Sequence, residues 1–112
     1  MDIAVENFGA LTIATLHRDE LDAGNVQDFK RDIAPVLADN RNVVLDLSHL
    51  RFVDSSGLGA MLSCLRQLNA TGGDLKLCGM SKAVRAVFEL VRMHRIFDIY
   101  DTRELAVSAF QH

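Results

Sequence analysis

The sequence predicts an α/β fold: an N-terminal β-hairpin followed by alternating strands and helices, in the order β-β-α-β-α-β-α-β-α, forming one domain over residues 1–112. Two observations carry this expectation. Short β-branched apolar runs such as Val43-Val44-Leu45-Asp46-Leu47 have the length and composition of buried strands. Between them lie longer segments whose apolar residues recur every three to four positions, the spacing of one helix face. Strands joined through helices run parallel with right-handed crossovers, so a mixed, mostly parallel sheet with about four helices is expected. Spacing leaves open the strand order and whether the helices cover one sheet face or two.

Each element follows from local chemistry. Residues 3–5 and Leu11–Leu16 are extended, and residues 7–9 between them are turn material, which predicts the hairpin. Asp22-Ala23-Gly24-Asn25 then offers N-cap chemistry to a helix carrying Val26, Phe29, Ile33, Val36 and Leu37. Pro35 interrupts this pattern. A proline in a helix interior removes a backbone bond and clashes with the preceding turn at ~3 kcal/mol, so a kink or early stop is expected near Ala34. Asn40-Arg41-Asn42 breaks the chain before the 43–47 strand. The clearest helical stripe is Leu58, Met61, Leu62, Leu65 and Leu68, closing at Thr71-Gly72-Gly73, so this helix must start within residues 55–57. Residues 75–78 form the next strand, Ser81 caps a helix carrying Val84, Val87, Phe88 and Val91, and residues 96–100 are extended. Asp101 and Glu104 have the spacing of an acidic capping pair for a last helix through Phe110.

Composition excludes several function classes. Lys and Arg number 12 against 15 acids, with no run of either sign, so no basic stripe for nucleic acid or anionic lipid exists. The start, Met1-Asp2-Ile3-Ala4-Val5-Glu6, lacks the features of a secretory signal, and no apolar run approaches the roughly 18 residues of a membrane span. A cytoplasmic protein without membrane contact is expected. Cys64 and Cys78 sit among apolar neighbours and read as buried reduced thiols. His17, His49, His94 and His112 are scattered, with no visible base partner for a serine nucleophile. The Gly-x-Ser-x-Gly elbow is absent, because Asp54 and Leu58 stand where Ser56 would need glycines. Gly57 and Gly59 do not have the spacing of a phosphate-binding loop. The chain is expected to be no enzyme and to hold no cofactor or metal.

Between the strand ending near Leu47 and the helix of the Leu58 stripe lies Phe52-Val53-Asp54-Ser55-Ser56-Gly57-Leu58-Gly59-Ala60. Together with Val44-Leu45-Asp46-Leu47, Glu20-Leu21-Asp22 and Gly72-Gly73-Asp74-Leu75-Lys76-Leu77-Cys78, this string resembles the STAS family, and within it the bacterial anti-sigma factor antagonists. The resemblance runs from the hairpin to the last helix. It implies a serine that an anti-sigma factor with serine-kinase activity phosphorylates using ATP held by the kinase, and that a serine phosphatase restores. The unmodified form would capture the anti-sigma factor and free the sigma factor.

In the family's motif the accepting serine directly follows the aspartate, which here is Ser55, with Ser56 the runner-up. On residue chemistry, Ser56 is the natural helix N-cap, its hydroxyl engaged by a first-turn amide, while Ser55 before it can face a kinase. Gly57 and Gly59 suit a tight strand-to-helix passage. The resemblance makes Asp22, Asp54, Ser55, Ser56, Gly57 and Leu58 the partner-binding surface; Asp22 equally suits a helix cap. Asp19 stands where relatives commonly carry glycine, which is expected to alter the turn before Glu20. A monomer when free is expected. The rival use of the same fold is a constitutive docking subunit of a transport or sensor complex whose serines are never modified.

Overall fold

The computed structural model describes residues 2–111; Met1 and His112 lie outside the described residues. Its strands are β1 (Ile3–Phe8), β2 (Leu11–Leu16), β3 (Glu20–Leu21), β4 (Asn42–Asp46), β5 (Phe52–Val53), β6 (Asp74–Cys78) and β7 (Asp98–Tyr100). The helices are α1 (Val26–Asp39), α2 (Ser55–Ala70), α3 (Lys82–Leu90) and α4 (Arg103–Phe110). Five strands form the main sheet in the order β1-β2-β4-β6-β7, with β1 antiparallel to β2 and every other neighbour parallel. The expected fold class is what the chain adopts. The hairpin turn is tighter than expected: Gly9 takes it at φ +60, and Asn7 and Phe8 join the ladder opposite Thr12 and Leu11.

Strand alternation decides how the helices are shared between the faces. Ala14, Leu16, Val43, Leu45, Leu75 and Leu77 turn to one side, where they pack with Phe29, Ile33, Met61, Leu65, Val84 and Phe88 of α1, α2 and α3. Leu11, Ile13, Val44 and Cys78 turn to the other side, under Ala106, Val107 and Phe110 of α4. Both faces are covered, but unequally, because α4 has eight residues and is about 12 Å long. The thinly covered face holds the sheet's charged strand residues. Lys76 Nζ lies 3.2 Å from Asp74 and 3.0 Å from Asp98, and 4.7 Å from the centre of the Phe110 ring.

Asp46 on that face meets Arg103, whose Nη2 donates to Asp46 Oδ2 (3.0 Å) and to Thr15 Oγ1 (2.9 Å), and whose Nη1 donates to Glu6. One guanidinium thus ties the start of α4 to three strands. Burial alone would raise the Asp46 pKa. The Ser48 amide and hydroxyl, and then Arg103, outweigh it and hold the carboxyl below its ordinary 3.8. An Arg103→Met variant leaves this carboxylate buried without its cationic partner, and we expect a loss of about 2 kcal/mol at neutral pH. Because the folded pKa is depressed, Asp46 contributes stability above pH 3.8 and loses it as pH falls through the folded pKa. Chemical denaturation at pH 7 and pH 3 should therefore show the gap between parent and variant closing in acid.

Four local expectations are corrected. The helix α1 runs unbroken through Pro35, because Pro35 and Arg31 are exposed and the carbonyl that the proline leaves without a partner is on the water side. Val36 and Leu37, buried just beyond it, hold the last turn against the core. The cap of α4 is Thr102, whose Oγ1 accepts from Leu105 N at 3.2 Å; the Asp101–Glu104 pair does not cap. The strand β7 begins at Asp98, because the Ile96 and Phe97 amides are taken by Met93 O in a 3-10 turn. Val91 falls past the end of α3 and is half-exposed.

Other expectations hold. Ser81 caps α3 by accepting from Val84 N at 3.1 Å. Cys64 and Cys78 are free and buried, and burial pushes their thiols up to about 11 and about 12, so neither ionises near neutral pH.

Candidate functional site

The site is built where two strands of two residues each meet. The β3–β5 pair sets Glu20 opposite Phe52 and Leu21 opposite Val53 in parallel. Nothing in a two-residue strand is periodic, so spacing alone could not reveal this pair. It continues when Asp54 N donates to Leu21 O at 3.2 Å, which keeps Asp54 extended (φ −106, ψ −174) at the point where α2 begins.

That geometry makes Asp54 the N-cap of α2. Its Oδ1 accepts from Gly57 N at 3.0 Å and its carbonyl accepts from Leu58 N at 3.0 Å. Ser56 is therefore not the cap: Ser55 and Ser56 are the first two helical residues. Both aspartate and serine cap well, and the choice between them was made by Leu21, 33 positions earlier, which fixes the extended backbone at residue 54. The second oxygen of the same carboxylate accepts from Ala23 N at 3.0 Å. One side chain thus staples the start of α2 to the loop before α1. The Gly57 amide, and after it those of Ala23 and Ser56, hold the Asp54 carboxyl below its ordinary value against a smaller desolvation effect.

The staple brings Asp22 next to the α2 start, but Asp22 is not the cap of α1. Its Oδ1 accepts from Gly24 N at 2.9 Å, closing a local turn. The cap position of α1 is Asn25, whose side chain turns back instead, accepting from Asp22 N (3.0 Å) and donating to Glu20 O (2.9 Å). Asp19 does not need the left-handed backbone that glycine favours. Among the described residues Arg92 is the one non-glycine with positive φ, and the Asp19 carbonyl simply accepts from the Arg51 and Phe52 amides.

The six residues divide by depth. Ser55 is exposed, and among the described residues no hydrogen bond ties down its hydroxyl; Asp22, Asp54 and Ser56 are half-buried. Gly57 and Leu58 lie beneath the surface, and Leu58, 4% exposed, packs into the core instead of facing outward. Gly57 explains the depth: a Cβ there would come within 2.6 Å of Leu21 O and 2.7 Å of Val53 Cγ2. Gly59 differs, since a Cβ there meets nothing within 4 Å, so the expectation that both glycines serve packing holds for Gly57 alone. Phe52, which no spacing singles out, stands 52% exposed two residues before Asp54 and adds an aromatic ring to this surface.

Other chemistry is not assembled. Among the described residues, no group of three His, Cys, Asp or Glu side chains could hold a metal, and no helix is long and apolar enough to cross a membrane. His17 and His49 lie against each other with ring centres 4.5 Å apart and planes tilted by 37°.

The STAS domain model matches residues 5–106 of the chain. BtrV of Bordetella bronchiseptica, whose name places it among the anti-sigma factor antagonists, is 32% identical over 112 residues, covering 99% of this chain and 96% of BtrV. The anti-sigma factor antagonist SpoIIAA of Bacillus, solved in its unphosphorylated form, aligns with a TM-score of 0.79 at 25% identity, over 98% of this chain and 96% of SpoIIAA. An anti-sigma factor antagonist from Mycobacterium paratuberculosis has the same fold, with a TM-score of 0.89 at 22% identity over 99% of this chain and 94% of that one. A family match that takes in β3, the Asp54 staple, the helices α1 to α3 and the first half of α4 leaves one conclusion: the chain belongs to the STAS domain family.

Proposed function

We propose that the protein is an anti-sigma factor antagonist switched by phosphorylation at Ser55. In the unmodified state it captures an anti-sigma factor that has serine-kinase activity, and the sigma factor is released. The kinase holds the ATP. The Ser55 hydroxyl oxygen bonds to the γ-phosphorus as the bond to the β–γ bridging oxygen breaks, ADP leaves, and the hydroxyl proton passes to a base on the kinase. A serine phosphatase reverses the modification by hydrolysis. The protein itself performs no catalysis, holds no cofactor, acts in the cytoplasm and is a monomer until it meets its partner.

The observation that carries this reading is the contrast at the α2 start: Ser55 is exposed, its hydroxyl unbonded among the described residues, on a turn that Asp54 fastens and Gly57 packs against β3 and β5. The relationship to BtrV over nearly the whole of both chains supports the partner class. A phosphate on Ser55 adds nearly two negative charges at the positive end of α2, which the helix dipole tolerates, so the fold survives modification. The partner does not tolerate it. A surface covering this turn would have to desolvate a dianion beside Asp54 and near Asp22, with like charge on both sides.

The test is a capture experiment with unmodified protein in lysate of its own cells, followed by identification of what is held, and mass spectrometry of the α2 peptide across growth states. A bound ATPase-type anti-sigma factor and phosphate on Ser55 are expected. A peptide unmodified in every growth state would overturn the switch and leave a docking subunit of constant activity.

A further inference from the structure

Two glycines in the first turns of α2 have opposite relations to the fold. Gly57 is required where it stands by the carbonyl of Leu21 and the side chain of Val53. Gly59 is required by nothing within the chain: it is exposed, it has no positive φ, and a Cβ would enter open space. Glycine is the least favourable helix residue after proline, because it loses the most backbone freedom and covers no surface. The fold on its own would therefore be better served by almost any other side chain at this position.

Position 59 is four residues beyond Ser55, on the same helix face one turn away. Helical side chains lean toward the N-terminus and cover the turn before their own Cα. Any long side chain at 59 would accordingly lie over Ser55, the exposed residue of that preceding turn. Phosphoryl transfer needs the attacking oxygen and the phosphorus at near-contact distance, about 3–3.5 Å apart, before reaction begins. A side chain lying across the hydroxyl would prevent that approach.

We infer that Gly59 is the access position of the switch: it is left without a side chain so that the anti-sigma factor can close its own backbone onto Ser55, at the expense of helix stability. This rests on the phospho-switch reading above and adds to it a residue that selects for close approach without being phosphorylated or bonding to the phosphate. Access and fold make opposite demands at this one residue, and that opposition separates an access role from a structural one.

The experiment compares the parent chain with Gly59→Ala and Gly59→Gln, using thermal melting and, with the anti-sigma factor identified by capture plus ATP, the rate of phosphate incorporation and the affinity of the unmodified forms. Gly59→Ala is expected to melt about 3–6 °C above the parent. Gly59→Gln is expected to melt no lower than the parent, yet to lose about tenfold or more in both kcat/KM for phosphorylation and in capture. Gly59→Ala, which adds one methyl group, should fall between the two in function.

Either of two results overturns the inference: Gly59→Gln phosphorylated and captured within twofold of the parent, or Gly59→Ala melting below the parent, which would show that the fold needs the glycine. Failure of the reading beneath it looks different. There the parent chain itself takes no phosphate and captures no anti-sigma factor, and the access role falls with it.

Discussion

A Ser55→Asp variant is expected to bind the anti-sigma factor about 100-fold more weakly than the parent or worse, while Ser55→Ala binds like the parent and can no longer be released. The two changes alter the same exposed atom of the same helical turn, so they differ mainly in charge. In the aspartate variant a second carboxylate stands beside Asp54, whose two oxygens are already committed to the Gly57 and Ala23 amides and cannot turn away. A partner that covers the turn must then bury an uncompensated charge, a penalty of about 2–5 kcal/mol. Each 1.4 kcal/mol is tenfold in affinity. The free protein should barely respond, because acidic residues are favoured in a first helical turn; both variants should unfold within ~1 kcal/mol of the parent.

Titration calorimetry with and without ATP reads this directly. The parent and Ser55→Ala should bind alike without ATP, and with ATP only the parent should lose its complex. Equal dissociation constants for Ser55→Asp and Ser55→Ala would eliminate exclusion by charge as the mechanism of release.

The second large effect is on stability. Gly57→Val is expected to cost about 3–4 kcal/mol and to lower the melting midpoint by roughly 15 °C. The first atom added already lies 2.6 Å from the Leu21 carbonyl, and that carbonyl cannot retreat, because it accepts from Asp54 N in the continuation of the β3–β5 pair. Relief would require α2 to lift from the mini-sheet, breaking the Asp54 staple and exposing Val53 and Leu21, which are 2% and 0% exposed. The variant should therefore lose partner capture as well as stability. A Gly57→Val protein melting within a few degrees of the parent would show that α2 and β3 are free to move apart. Set against the stabilisation expected for Gly59→Ala two residues away, the sign of the effect at each glycine measures whether the fold or the partner requires it.

Much of the molecule could be read from its residues because the signals are local. The Leu58 stripe, the α1 stripe with Phe29 and Ile33, and the short run Val43-Val44-Leu45 each depend on neighbours two to four positions apart, which is the range over which helix and strand periodicity acts. The same is true of Ser81, a cap with its helix immediately behind it. Pro35 shows the limit of local reasoning: its cost depends on whether the freed carbonyl meets water or protein, and only the packing of α1 places it outward.

The sequence by itself determined the fold class, the helix faces, and the position of the serine pair at a strand-to-helix passage. Tertiary structure alone decided the rest of the site. That Asp54 and not Ser56 caps α2 was settled by Leu21, through a backbone bond spanning 33 positions. That Gly57 is indispensable and Gly59 is not depends on which side of one helical turn faces β3 and β5. That Asp46 has Arg103 for its counterion depends on α4 crossing to the opposite sheet face. The physical reason is common to all three: periodicity and capping propensity act between near neighbours, whereas a cap's choice of partner, a glycine's necessity and a buried charge's counterion are set by groups that only folding brings within contact distance.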